Sequence, residues 1–376
     1  MMQLRGWRDG RGRIMQMTGV LLGLLLMLAA GEAGAQAYVR EKLSIPGRLG
    51  TTLEGAMVRT EEGGRRPLVL LNHGSLRDAA ARPEASPFGM YAQAVEFVRR
   101  GWTVAMMLRR GYGGSTGGWA EDYGRCDSPS YAEAGLRGAE DLRAALAFLA
   151  KRPDIDATKM IAVGVSAGGF ATTALTAQPP PGLVAAINFA GGRGSQRDDQ
   201  ICSVHALTDA FGRYGKTSRT PMLWVYAVND KYFNPQAVGQ FREAFVSGGG
   251  KVSFVQTAAY GQDGHALFSA GGASIWTPVV DEFLKAQGLA LRDAPAPLPP
   301  LPHVAPPKAL SDTGRTAFEA YLRAAPHKAF AHTSSGNYAW RSGQRTADKA
   351  KEGALTACER AGKGSCTVSI DDGEAK

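Results

Sequence analysis

Residues 159–170, KMIAVGVSAGGF, decide how this chain is read: an apolar, β-branched run ends in Gly164-Val165-Ser166-Ala167-Gly168 and passes directly into a helix-compatible stretch. A strand that turns sharply into a helix forces the corner residue into an unfavourable backbone region, so its neighbours must be small. Gly164, Ala167, Gly168 and Gly169 meet that need. The corner serine then presents its hydroxyl at a helix N-terminus, as in a nucleophile elbow. In a chain of 376 residues with 48 glycines, G-x-S-x-G arises by chance. The strand before it and the helix after it give this one its weight.

A serine hydroxyl is barely ionised at neutral pH and needs a base in reach, with a third group to orient that base. His265 lies in GQDGHALF, residues 261–268, a glycine-flexible loop between the last strand and last helix of the main pattern. Asp230 follows a strand at 222–228, at the end where open α/β sheets gather functional groups. Asp263 is a second candidate acid, but it stands two residues from His265 and suits a loop-shaping role better. The order Ser166, Asp230, His265 is the order such strand-end triads take. Acyl transfer also needs donors for the developing oxyanion. The backbone N–H of Ala167 and that of Ser75, in His73-Gly74-Ser75 after a strand at 67–72, are the candidates.

The rest of the chain alternates in the same style. Residues 38–60 read as leading strands, 90–100 as a helix, 103–108 as a buried strand and 131–152 as a long amphipathic helix ended by Pro153. Strands follow at 184–189, 222–228 and 252–256, and a helix at 275–287 closes the series. Near-continuous apolar strands alternating with helices predict an α/β fold, a mostly parallel sheet with helices on both faces.

Four segments, NHGS at 72–75, RGYGGS at 110–115, GVSAGG at 164–169, and the spaced Asp230 and His265, together resemble the α/β-hydrolase superfamily over about residues 40–290. The resemblance is to its dienelactone hydrolase and prolyl-oligopeptidase-like branch. It implies a Ser166–His265–Asp230 triad attacking an ester or amide carbonyl through an acyl-enzyme. Dienelactone hydrolases proper use a cysteine where Ser166 stands. The related peptidases carry a large N-terminal propeller, and no propeller-length segment precedes the strand pattern within these residues. Carboxylic esters are therefore the expected substrates, with short peptides second and a non-catalytic binding protein on the same fold third. The resemblance implies no cofactor.

Composition sets the compartment. Four arginines in residues 5–13 precede the apolar run 20–30 and small residues at 33–35, so residues 1–35 read as a signal peptide for a periplasmic or secreted protein. The formal charge of +9 falls to +7 without them. No basic block with interleaved aromatics points to nucleic acid. Cys126, Cys202, Cys358 and Cys366 suit an oxidising compartment. Proximity favours Cys358 with Cys366, leaving Cys126 for Cys202; no C-x-x-C or Cys/His cluster suggests a metal.

Arg109 or Arg110, with Tyr112, Trp119, Tyr123, Tyr232 and Phe233, are expected to line the cleft, and an arginine there would suit a carboxylate-bearing substrate. The catalytic domain is expected to span residues 38–290. Residues 291–308, rich in proline, read as a linker. Residues 309–376 read as a small α+β module that resembles cysteine-containing modules of secreted bacterial proteins, with a contact to envelope or cell-wall material as one role.

Overall fold

The computed structural model describes residues 38–61, 63–75, 78–362 and 364–371. The expected signal peptide lies outside them. The chain opens with strands β1 (Tyr38–Pro46), β2 (Thr52–Thr60) and β3 (Arg66–Asn72), then helix α1 (Tyr91–Arg99), β4 (Thr103–Met107) and helix α2 (Tyr131–Leu149). The central segment holds β5 (Ile155–Val165), α3 (Ala167–Thr176), β6 (Leu183–Phe189), a small ribbon of β7 (Ser195–Arg197) and β8 (Gln200–Ile201), and α4 (Val204–Gly215). After β9 (Met222–Ala227), α5 (Pro235–Ser247), β10 (Val252–Thr257) and α6 (Ala273–Ala286) complete the main body. Helix α5 was not legible from its apolar pattern, although Asn234 caps it and Pro235 opens it.

Eight strands form one sheet in the order β1-β2-β4-β3-β5-β6-β9-β10. The pairs β1/β2 and β2/β4 are antiparallel and the others parallel. Side chains on a strand alternate between faces, and the core divides accordingly. Leu68, Leu70, Met160, Ala162, Trp224 and Tyr226 pack under α2, α3, α4 and α5. Their neighbours Val69, Leu71, Ile161, Val163, Leu223 and Val225 pack under α1 and α6. Each such Leu, Val or Ile removed from water stabilises the fold by about 1.5–3 kcal/mol.

The tail forms α7 (Asp312–Arg323), β11 (Ala329–His332), β12 (Tyr338–Arg341), α8 (Ala347–Ala361) and β13 (Thr367–Asp371), with β11 central in a three-stranded sheet. The aromatic stretch around Trp340 is β12, whose Trp340 pairs with Phe330 of β11. The described residues group as one unit. The proline-rich stretch runs without helix or strand; Ala296 exchanges both backbone groups with Arg99 of α1, through a backbone and a side-chain bond. Arg345 of the module pairs with Glu54 of β2, and His327 meets the Phe88 ring edge-on at 5.6 Å.

Candidate active site

β5 delivers Ser166 to the corner with φ +56° and ψ −125°. Its N–H donates to Phe189 O at 2.9 Å, and its carbonyl accepts from Phe170 N and Gly192 N at 3.0 and 3.2 Å. These bonds hold the strained conformation from both sides. A β-carbon on Gly164 would lie 2.3 Å from Gly168 O, and one on Gly168 would lie 2.3 Å from Asn72 O. Only glycine lets α3 sit this close to the ends of β3 and β5.

At the end of β9, Asp230 is almost fully buried. Its Oδ1 accepts the N–H groups of Tyr232 and Phe233 at 2.7 and 3.0 Å. Nδ1 of His265 lies 3.0 Å from Asp230 Oδ2 and 3.1 Å from Oδ1. The imidazole stacks on Tyr232, with centroids 3.8 Å apart. Asp263 does something else: its Oδ1 accepts the N–H of His265 at 2.9 Å and of Lys231 at 3.1 Å, stapling the two loops.

The loop after β3 sits against the elbow, since a β-carbon on Gly74 would be 3.1 Å from Ser166 Cβ. His73 shapes it. Burial lowers the His73 pKa, the Arg109 charge adds to this, and the ring titrates at about 3. Nε2 accepts the Arg109 N–H at 3.1 Å. The ring proton therefore sits on Nδ1, which donates to Gly74 O at 2.6 Å. Tyr112 donates its hydroxyl to Ser75 Oγ at 2.8 Å.

A buried charge cage lies behind this loop. Arg109, with no exposed surface, bonds Glu121, Asn72 Oδ1 and, at 2.6 Å, His73 O. Glu121 also bonds Arg193, which reaches the Glu121 carbonyl at 3.2 Å. Burial would raise the Glu121 pKa, but the charges of Arg109 and Arg193 overcome it and hold the carboxyl at about 2. Asn72 Nδ2 donates to Gly168 O at 2.8 Å, so the cage ties the end of β3 to the elbow.

Ser166 opens onto two compartments. The larger, about 390 Å³, is lined by His265 and Tyr112 and by apolar side chains such as Met90, Met107 and Val165. The smaller, about 130 Å³, is lined by Ala167, Trp119, Tyr123, Arg193 and Phe233. Ser75, Arg82 and Tyr232 border both. A broader hollow of about 720 Å³ on the C-terminal module contains none of the predicted site residues.

The structure thus gathers Ser166, Ala167, Ser75, His265, Tyr112, Trp119 and Tyr232 around one cleft, with Asp230 behind His265. The expected cleft arginine is corrected. Arg109 is consumed by the cage, and Arg110 turns onto α2, where Nε lies 2.6 Å from Asp141 Oδ1 and Nη2 lies 3.2 Å from Glu140 Oε2. Two adjacent carboxylates on a helix attract it more strongly than an open cleft does. Arg193 lines the smaller compartment but is paired with Glu121, and a second cleft cation is Arg82, in the short helical turn Ala79–Glu84, with its guanidinium carbon 3.5 Å from the Trp119 ring centroid. No periodicity or motif marks Arg82 in the sequence. Cys126 is bonded to Cys202, which pins the Trp119–Tyr123 loop to the segment after Arg193, and Cys358 is bonded to Cys366.

Strand order and elbow define the α/β-hydrolase fold. The family model described as X-Pro dipeptidyl-peptidase (S15 family) matches residues 50–215, which contain Ser166 and end before Asp230 and His265. Among solved structures, a dienelactone hydrolase homologue from Klebsiella pneumoniae, itself of inferred function, is 14% identical at a TM-score of 0.48, over 66% of this chain and 99% of its own. An esterase from Pyrococcus furiosus is 15% identical at 0.49, over 66% and 91%. Dipeptidyl peptidase 4 from Porphyromonas gingivalis is 15% identical at 0.49, over 67% and 36%. At these identities none of them says what this chain acts on. No curated protein matches the sequence.

Proposed function

We propose that this chain is an exported serine hydrolase that cleaves carboxylic esters through Ser166, His265 and Asp230. The observation that carries this reading is the pairing of His265 with Asp230 beside a strained Ser166, in one cleft. Asp230 keeps the ring proton on Nδ1, which leaves Nε2 as the base for the Ser166 hydroxyl. The serine oxygen adds to the ester carbonyl, and the N–H groups of Ala167 and Ser75 stabilise the oxyanion. His265 returns the proton to the departing alcohol, leaving an acyl-enzyme. Water, deprotonated by His265, then releases the acid and restores Ser166.

Two disulfides fit export to an oxidising compartment. No helix among the described residues is long and apolar enough to cross a membrane. A fluorophosphonate probe tests the chemistry: labelling lost in Ser166→Ala supports the reading, and an unlabelled, well-folded wild type refutes it. The match to a dipeptidyl-peptidase family over residues 50–215 favours peptide cleavage as the second reading. Comparing p-nitrophenyl esters with prolyl p-nitroanilides separates the two.

A further inference from the structure

Among the described residues, no carboxylate pairs with the Arg82 guanidinium, and its buried Nε has no hydrogen-bond partner. The guanidinium lies over the Trp119 ring. A guanidinium held over an aromatic face keeps its in-plane N–H donors available, and their fork matches a carboxylate. Among the site residues described above, Glu121 and Asp230 supply two carboxylates against the three guanidinium groups of Arg82, Arg109 and Arg193. The cage next to it contains two arginines and one glutamate, all buried, and its histidine is neutral. A cleft with low-dielectric walls and uncompensated positive charge concentrates anions.

The two compartments say which end of a substrate carries the anion. His265, the proposed acid for the leaving alcohol, lines the larger, mostly apolar compartment and not the smaller one. Ala167, a proposed oxyanion donor, lines the smaller one. The alcohol therefore lies in the larger compartment and the acyl chain in the smaller. At about 130 Å³ the smaller admits only a short chain, and Arg82 stands where the two compartments meet, within reach of the end of that chain.

We propose that Arg82 binds a carboxylate at the far end of the acyl chain, so that the substrates are half-esters of short dicarboxylic acids with apolar alcohols. This rests on the ester-hydrolase reading of the same site. Arg82 acts in binding and takes no part in proton transfer.

Monobutyl succinate and its neutral amide, butyl succinamate, differ by one charge and release the same butanol. Wild type should favour the succinate at least tenfold in kcat/KM, with the preference shrinking as salt rises. Arg82→Gln should bring the ratio close to one, and Arg82→Lys should keep part of it. The ratio cancels any defect common to both substrates. A wild-type ratio near one, or a ratio unchanged in Arg82→Gln, overturns the proposal. Calorimetric titration of monobutyl succinate into Ser166→Ala reads the subsite without turnover: binding should be at least tenfold weaker when Arg82→Gln is added, and equal binding overturns the proposal. If wild type neither hydrolyses butyl esters nor takes up a fluorophosphonate, the hydrolase reading fails, and this titration still decides the anion subsite.

Discussion

Asp230 meets His265 Nδ1 with both carboxylate oxygens at nearly equal distance, 3.0 and 3.1 Å, while backbone N–H groups of Tyr232 and Phe233 hold Oδ1 in place. Asp263, although closer in sequence, touches only the backbone of His265 and Lys231. Asp230→Asn should lower kcat by about 10³–10⁴-fold by releasing the imidazole tautomer. Asp263→Asn should cost about 1 kcal/mol of stability by weakening one loop staple, with kcat within tenfold of wild type. Steady-state kinetics and urea unfolding of both variants check this, and a reversed ranking in kcat would reassign the acid.

His73 gives the protein an acid-sensitive joint. Its folded pKa of about 3 lies below the ordinary 6.5, so between these values the unfolded chain binds the proton and the folded one does not. Stability from a neutral His73 is complete above pH 6.5 and declines on acidification towards pH 3. Relative to His73→Gln, wild type should lose up to roughly 1.4 kcal/mol per pH unit across that window. Parallel urea titrations at pH 7, 6, 5 and 4 measure the difference. A constant gap would mean that the ring binds its proton equally in the folded and unfolded states.

Glu121 adds to the same trend at lower pH, because its folded pKa of about 2 lies under the ordinary 4.5. Its contribution is present above pH 4.5 and vanishes as pH falls towards 2. Glu121→Gln leaves Arg109 and Arg193 buried without a counter-charge. It should destabilise the protein by about 3–5 kcal/mol at pH 7 and slow turnover by letting Asn72 and the oxyanion loop shift. Thermal melts and p-nitrophenyl acetate kinetics read the two effects.

Cys126 and Cys202 close a loop across 76 positions. In the chain-entropy treatment such a closure stabilises by about 4 kcal/mol. The Cys126→Ser/Cys202→Ser double variant should melt well below wild type. Because Tyr131 donates to Cys202 O at 2.6 Å and Cys202 N to Gly194 O at 2.9 Å, the loosened segment borders the smaller compartment. KM should therefore rise more than kcat falls, which initial-rate kinetics resolve.

The C-terminal module braces the cleft from outside. Glu54 Oε2 accepts the Gly114 N–H at 2.7 Å and also bonds Arg345, and Phe88, against His327, lies between Pro87 and Met90 of the larger compartment. A nick within residues 294–308 should leave ester turnover largely intact, because these contacts do not run through the nick. Deleting residues 309–376 should lower kcat/KM for esters of bulky alcohols more than for acetates. Arg345→Ala alone should cost no more than about 1 kcal/mol. A deletion that affects both ester classes equally would rule out a brace specific to the larger compartment.

The positions of the central strands along the chain were legible because these strands are apolar on both faces, as at Leu68 to Leu71. The elbow was legible because strand, corner and helix are contiguous. Asp230 and His265 were readable from strand ends alone, and their proximity is a property of the sheet order. What sequence did not disclose depends on pairing across distance. Arg109 and Arg110 carry the same charge side by side, and only Glu121, Glu140 and Asp141, brought near by folding, take both out of the cleft. Arg82 faces the site because Trp119, 37 positions later, lies under it. Strand β12 was hidden because its four residues, YAWR, are too short to show a period.

The backbone at Ser166 has a consequence for how this protein can fail. A φ of +56° with ψ −125° is a conformation that glycine adopts freely and serine does not. Glycine at this position would relax the corner and remove the proposed nucleophile in one change. The damaged protein would fold as well as its parent or better, would pass any screen for solubility or melting temperature, and would be silent only in an assay of turnover. Stability and function are thus opposed at a single backbone angle, and a stability screen alone will enrich the inert form.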